Sequence, residues 1–503
     1  MNVNVYYCLI ISIIAIFSSP LSSAKSSAKE PITFKVSLSD KKSQLLLPVP
    51  NHLISIDSNI QLTEMNIPID IKYKILNQWP TFTEKKYIRL LLLEVNHLPG
   101  DDLSLELKWG DGGIKDEDPK LNLHQGTTLV FPSSNWLAQS VLLHPSAQHE
   151  TSNWYTQALS SYAHFITDQK ALSKMGYPMT RAAQWLYDKP QAIYQLFIVS
   201  GNKKWLSRGD DLANFYINNI DGSGLFKLID KNDVKYLMPK GLLYSYFLSG
   251  NIKAKEALTN IYQNSLMWEP EYDLERGFWT ERNQAAALNT AISYWEVTGD
   301  RSAFSRINQI IDATVEMTFN PVNNWSLVGC PQHTLQSHEG QGGSSPTCSP
   351  WMMALLSDAL WRFYRLTGDV RAASLIDAFG DFVLNYGIYW GDEKVDRIVI
   401  PKYLAILQNS RYENHDQWSD YQHTCDVAAL LGKSVYIKKR SDILLKELFS
   451  VFVQQCKAEL ERTKVKQGRE HYWTITPPRR FNWMFSSTSD LPWLADFLLL
   501  EVD

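Results

Sequence analysis

The sequence predicts a mainly α-helical chain of repeated helical hairpins, preceded by a small all-β domain. Two observations carry this. From residue 197 onward, a short pattern ending in Gly and then Asn or Asp recurs at regular intervals. Before residue 131, apolar residues come in short runs broken by Pro, Asn, Asp and Gly, with no helical period between them, which is the mark of strands and turns.

The β portion is expected over residues 25–135. Its strands are expected at Thr33–Leu38, Gln44–Pro48, Ile69–Leu76, Tyr87–Val95, Leu103–Trp109 and Thr127–Phe131. Gly110-Asp111-Gly112-Gly113 is a strong turn signal. Short strands with frequent turns suggest a β-sandwich. From Trp154 the apolar period becomes helical and stays so.

The repeat reads Phe197-Ile-Val-Ser-Gly201-Asn202, Tyr246-Phe-Leu-Ser-Gly250-Asn251, Trp295-Glu-Val-Thr-Gly299-Asp300 and Tyr364-Arg-Leu-Thr-Gly368-Asp369. Leu430-Leu431-Gly432-Lys433 is a weaker fifth copy. Each Gly is expected to end a helix in the left-handed conformation that a Cβ disfavours. The following Asn or Asp is expected to cap the next helix, and the aromatic residue one turn earlier to pack between helices. The first two intervals are 49 residues each, enough for two helices and their loops. Stacked units of this kind bury one continuous core. The third interval is 69 residues. Its surplus coincides with Pro321–Pro350, read either as an insertion on a functional face or as a surface loop.

Composition narrows the function classes. The 503 residues carry a net charge of −4, which points to neither nucleic acid nor a polybasic membrane contact. The 17 Trp, 24 Tyr and 20 Phe suit either helix–helix cores or the gripping of sugar rings, since Tyr and Trp join a flat apolar face to a polar edge. Tyr6–Phe17 is uncharged and too short to span a bilayer, and Ser22-Ser23-Ala24 offers a cleavage site after Ala24. Residues 1–24 are therefore expected to be an export signal, although no Lys or Arg precedes the apolar run. No other segment has 18 apolar residues in a row, so no membrane insertion is expected after cleavage, and the location is expected to be periplasmic or secreted. Four cysteines follow, enough for two disulfides. Cys330 with Cys348 is the expected bridge, because both flank one polar, Gly-rich segment; Cys425 and Cys456 are left open.

The Thr-Gly-Asp and Ser-Gly-Asn turns, behind an N-terminal β domain, resemble the six-hairpin glycosidase superfamily of (α/α)6 toroids. The resemblance spans residues 150–503, with the β domain as context. It implies a closed ring of hairpins whose central groove takes a polysaccharide or oligosaccharide. Such toroids include glycoside hydrolases, polysaccharide lyases and sugar epimerases, so the resemblance does not choose a reaction. No catalytic signature of one family is present, and no residue role is carried over from it.

Four segments hold the candidate site residues. In Trp268–Asn283, Thr280 is a candidate N-cap with Glu281 in the first helical turn. Trp279, Glu281, Arg282 and Asn283 could face a groove, Arg282 as a carboxylate partner and Asn283 toward hydroxyls. The insertion holds His333, His338 and Glu339, which a disulfide would steady. These three could bind a metal, but they lack the helical His-x-x-x-His spacing, so no metal and no cofactor is expected. In Asn414–Cys425, if the segment begins a helix, Asp416, Asp420 and His423 share one face beside Trp418 and Tyr421. Near the C-terminus, Arg480 and Trp483 lie in an aromatic segment read as a sugar platform or lid.

Hydrolysis is the first expectation and β-elimination the second; hydrolysis requires two carboxylates, one protonated acid and one base or nucleophile. Glu339 and Asp416 are the expected pair, with Asp420 and Glu281 in reserve. β-Elimination of a uronic acid instead requires a base for the proton α to the carboxylate, and cationic or amide groups to neutralise developing charge. His423, Tyr421, Arg282 and Asn283 are of those types. A glycan-binding or scaffold protein without chemistry is the third reading.

Overall fold

A computed structural model describes residues 30–38, 40–110, 116–124, 126–144, 153–273, 277–321, 327–339, 343–390, 399–406, 422–462, 464–467, 470–473 and 477–499. The expected export signal, Asp416, Trp418, Asp420 and Tyr421 lie outside them, as does the side chain of Glu339.

Seven strands come first: β1 (Ile32–Leu38), β2 (Lys42–Pro48), β3 (Asn59–Glu64), β4 (Ile67–Gln78), β5 (Ile88–Asn96), β6 (Gly100–Gly110) and β7 (Thr128–Leu129). They form one curled sheet in the order β1-β6-β3-β4-β5-β2-β7, in place of the expected two-layer sandwich. One long strand explains the difference. β4 pairs with β3 through Ile67–Ile69 and with β5 through Asp70–Gln78, so it carries the sheet through the bend rather than ending at it. Phe34, Leu45, Leu62, Leu91 and Leu105, from both halves, meet in one buried cluster. Along β1 burial alternates residue by residue, as the two-residue side-chain period requires.

The helical part is built from hairpins. α1 (Ser134–Ser140), α2 (Asn153–Thr167) and α3 (Gln169–Lys174) lead into α4 (Lys189–Ser200) and α5 (Lys203–Asn218). Next come α6 (Pro239–Ser249) and α7 (Ile252–Ser265), then α8 (Glu281–Thr298) and α9 (Arg301–Phe319). Gly201, Gly250, Gly299 and Gly368 all end helices with φ between 63° and 71°. Asn202, Asp300 and Asp369 each cap the next helix through a side-chain oxygen, while Asn251 makes no such bond.

After α9 the insertion supplies β8 (His333–Thr334), α10 (Leu335–Glu339) and β9 (Pro346–Cys348). Three hairpin pieces complete the chain: α11 (Pro350–Thr367) with α12 (Val370–Tyr386), α13 (Thr424–Ile437) with α14 (Ile443–Arg462), and α15 (Arg479–Ser487) with α16 (Leu491–Leu499). Short strands β10 (Ile388–Tyr389), β11 (Ile400–Pro401) and β12 (Ala405–Ile406) precede α13, and β13 (Lys464–Gln467) and β14 (Glu470–Trp473) precede α15.

Gly432 departs from the repeat reading. It lies inside α13, where a Cβ would meet Phe449 of α14 at 2.8 Å. Close helix packing, and not a left-handed turn, calls for glycine there; the turn falls later, at Lys439 and Arg440 with φ of 53° and 62°.

Two kinds of helix alternate. In α4 and α6 every residue from Lys189 to Ile198 and from Pro239 to Leu248 is buried. In α5 only Trp205, Gly209, Leu212, Ala213 and Tyr216 are, a stripe at helical spacing. The fully buried kind packs in sequence, α4 on α6, α6 on α8, α8 on α11, α11 on α13 and α13 on α15, and α15 packs back on α4. Disulfides join Cys330 to Cys348 across the insertion and Cys425 to Cys456 between α13 and α14. Among the described residues no helix is long and apolar enough to cross a membrane.

Candidate functional site

The first turns of α4, α6 and α8, with α11 and the end of α15, line one cavity of about 60 Å³, bounded by Tyr187, Gln191, Lys240, Arg282, Asn289 and Ser486 among others. Its walls begin at an unusual turn. Tyr187 and Asp188 are consecutive non-glycine residues with φ of 68° and 60°, a conformation that costs about 1–3 kcal/mol for each residue. Asp188 offsets part of that cost. Its carboxylate accepts from the Gln191 amide at 3.1 Å and the Gly241 amide at 2.9 Å, capping α4 and clamping α6. A Cβ on residue 241 would sit 2.5 Å from Asp188 Oδ1, so this clamp requires glycine. Burial pushes the Asp188 carboxyl up to about 6.

The second carboxylate at the cavity is equally occupied. Asp358 accepts from Lys240 at 2.5 Å and from Lys433 at 3.1 Å, one partner for each oxygen. Burial would raise it, but the two ammonium charges outweigh burial and its carboxyl is held low.

The strained turn places Tyr187 on the cavity wall. Its hydroxyl accepts from Arg282 Nη1 at 3.4 Å, and its ring meets Trp351 and Trp483 edge-on at 6.1 Å and 5.6 Å. The imidazole of His423 touches the same two tryptophans, stacked on Trp351 at 4.3 Å and tilted against Trp483 at 5.1 Å. Tyr403 closes the group, 5.7 Å from Trp351. His423 Nδ1 lies 2.9 Å from Asp426 Oδ2. Burial, and second the charge of Arg480, hold His423 well below the usual imidazole range; burial holds Asp426 well above the usual carboxylate range against that same charge.

A second buried group lies beside this one. Thr280 caps α8 and places Glu281 and Asn283 inward. Burial pushes the Glu281 carboxyl up to about 8. Its Oε2 lies 3.8 Å from both His333 Nε2 and His338 Nδ1. Sequence reasoning grouped the two histidines with Glu339; they face Glu281 because α10 turns back on β8 and lays the insertion against the start of α8. Trp279 donates its amide to the Ser337 carbonyl at 3.1 Å across that contact.

The expected ligand-facing residues thus divide. Arg282 lines the cavity, and Tyr187 links it to the buried pair of His423 and Trp483. Trp279 is fully buried against Tyr272 and Met317. Asn283 is buried and donates to Asp233 at 3.0 Å, which leaves its amide no reach into the cavity. Arg480 is buried in an ion pair with Glu459, a packing role in place of the expected platform. Tyr187 and Trp351 were missed. Their signal was present at helix starts, since Asp188-Lys189-Pro190 and Ser349-Pro350 both place proline at the first turn.

No protein-family model matches the sequence, and no curated protein does. Solved structures similar to this chain include a family 105 glycoside hydrolase of C. acetobutylicum ATCC 824, at 11% identity and TM-score 0.44 over 66% of this chain and 99% of that one. An unsaturated glucuronyl hydrolase from Bacillus sp. GL1 is 11% identical, with a TM-score of 0.43 over 68% of this chain and 96% of that one. A polysaccharide lyase is 9% identical, with a TM-score of 0.43 over 68% and 99%. Likeness at this level assigns neither a family nor an activity.

Proposed function

We propose that the chain is an exported carbohydrate-active enzyme: a curled β domain over residues 25–135, then an (α/α)6-type toroid over 150–503 whose cavity takes a uronic-acid glycan and cleaves it by β-elimination. The observation that carries this is the pairing of Tyr187 with Arg282 on the cavity wall, backed by the ring cluster of Trp351, Trp483 and Tyr403. Cyclic packing of the inner helices supports the toroid, and the two disulfides support an oxidising compartment.

Each group has a task. The guanidinium of Arg282 binds the uronate carboxylate and neutralises charge as the α proton leaves. His423, with Nδ1 donating to Asp426, accepts that proton at Nε2. Tyr187 donates from its hydroxyl to the departing glycosidic oxygen. The buried tryptophans back Tyr187 and His423 and keep water from them.

Elimination is favoured over hydrolysis because both described carboxylates at the cavity, Asp188 and Asp358, have each oxygen already bonded. Hydrolysis by Glu339 with Asp416 is the second reading, favoured by α10 ending at Glu339 beside the inward-facing His338. The test is a panel of neutral and uronate polysaccharides read two ways. Ultraviolet absorbance of a conjugated double bond without added water supports elimination. New reducing ends without that absorbance overturn it. Tyr187→Phe is expected to lower kcat by about 10²–10⁴-fold, and Arg282→Lys to weaken uronate binding because a point charge replaces a fork.

A further inference from the structure

We propose that Glu281, His333 and His338 form a binding site for one divalent transition metal of the zinc class, closed from solvent and tying the insertion to the start of α8.

Geometry carries the proposal. His333 Nε2 and His338 Nδ1 are 3.1 Å apart, and each is 3.8 Å from Glu281 Oε2. In a triangle with sides 3.1, 3.8 and 3.8 Å, the equidistant point lies about 2.1 Å from each corner, the length of a zinc–nitrogen or zinc–carboxylate bond. All three side chains are fully buried. Two imidazoles and one carboxylate suit zinc, and a closed setting suits a structural ion.

The surrounding bonds fit the same reading. His333 Nδ1 lies 3.2 Å from the Pro331 carbonyl. That bond puts the ring proton on Nδ1 and leaves Nε2 a lone pair to offer, the usual outer-shell arrangement of a metal-bound histidine. Glu281 Oε1 accepts from the Ser349 amide at 2.7 Å, so the carboxylate is held. Its other oxygen, Oε2, accepts no hydrogen bond from any described residue although it is buried, which costs free energy unless a cation or proton takes it. The frame is rigid: the Cys330–Cys348 bridge brackets the loop, His333 pairs with Thr347 between β8 and β9, and Tyr272 donates to Thr334 at 3.0 Å. None of the three ligands lines the cavity, so the site stands apart from the proposed reaction and does not depend on it.

The test uses the full, untagged chain. After dialysis against a chelator, Zn²⁺ is titrated by calorimetry, bound metal is counted by elemental analysis, and Co²⁺ is used as a coloured probe. One equivalent of Zn²⁺, a higher Tm with Zn²⁺, and visible Co²⁺ bands of a four-coordinate site with water as the fourth ligand are expected. His338→Gln and Glu281→Gln should each weaken Zn²⁺ by more than the about 10–100-fold cost of losing an outer-shell partner. Circular dichroism of each variant checks that it is folded. Wild-type protein that takes up under a tenth of an equivalent and shows no Tm shift overturns the proposal, and leaves the cluster as a hydrogen-bonded group around a protonated Glu281. Undiminished Zn²⁺ binding by the folded His338→Gln, Glu281→Gln double variant also overturns it, by placing the metal elsewhere. All of these readouts are independent of glycan cleavage.

Discussion

Arg89 on β5 donates from Nη2 to Glu296 Oε2 on α8 at 2.6 Å, and both side chains are fully buried. Arg362 of α11 grips the same carboxylate at 2.5 Å and 2.8 Å. One anion therefore balances two cations where the sheet meets two inner helices. The guanidinium of Arg89 also lies 4.1 Å over the Trp79 ring and 4.3 Å over that of Phe247. Removing the anion is the worse injury. Glu296→Gln leaves two buried guanidiniums facing each other and is expected to cost about 3–5 kcal/mol. Arg89→Met removes one cation, keeps the Glu296–Arg362 pair and should cost less. Equilibrium urea unfolding of both variants gives the order; Arg89→Met as the more damaging change would contradict it.

Asp426 is expected to act through His423. The carboxyl fixes the ring at Nδ1 and so decides which nitrogen is offered to substrate. Asp426→Asn should lower kcat with little change in KM, because sugar contacts are left in place. His423→Ala should lower kcat by about 10²–10⁴-fold. The double variant should be hardly worse than His423→Ala alone, since the two act as one unit. Additive losses in single-turnover rates would show that Asp426 works independently.

How much of this was legible in the sequence depended on range. The left-handed glycines at 201, 250, 299 and 368 are local: a helix end in the left-handed region favours a residue without a Cβ, so they could be read directly. Gly432 misled because close approach to Phe449 calls for the same residue for another reason. β3 went unread because Asn59–Glu64 has only three buried residues in its six, and one of these is Thr63. At the site, Arg282 and His423 could be picked out from their neighbours, but Tyr187 meets Trp351 only once α4 and α11 are brought together. The same holds for Glu281 and the two histidines, which no spacing along the chain connects.

The Cys425–Cys456 bridge should matter for stability. It closes 31 residues, joining the first turn of α13 to the second half of α14. On the chain-entropy account that loop is worth about 3–4 kcal/mol. Cys425→Ala with Cys456→Ala is expected to lower the unfolding free energy by that amount and to lower Tm measurably by calorimetry. A Tm within one degree of the parent would mean that the reduced chain is already held by the packing of α13 on α14.

Acid should unfold this protein in two stages. Burial holds the His144 imidazole down to about 4 from 6.5. The unfolded chain therefore binds more protons than the native one between those values, and stability is lost as pH falls from 6.5 to 4. Its slope is up to about 1.4 kcal/mol per pH unit. Asp490 adds the second stage. Burial would raise it, but the charges of His144 and Arg365 and bonds from Trp361 and the His144 amide outweigh that and hold its carboxyl at about 2. This depressed acid contributes stability above 3.8 that is lost as pH falls toward 2. His333 and His423, also held low by burial, add to the first stage in the same sense. His144→Phe keeps the stack on Trp493, whose ring lies 3.5 Å away at 12°, while removing one titrating group. Its unfolding free energy, measured in urea at intervals from pH 4 to 7, should change by about one proton less than the parent's. An unchanged slope would mean that His144 is already protonated in the native state, beside Asp490.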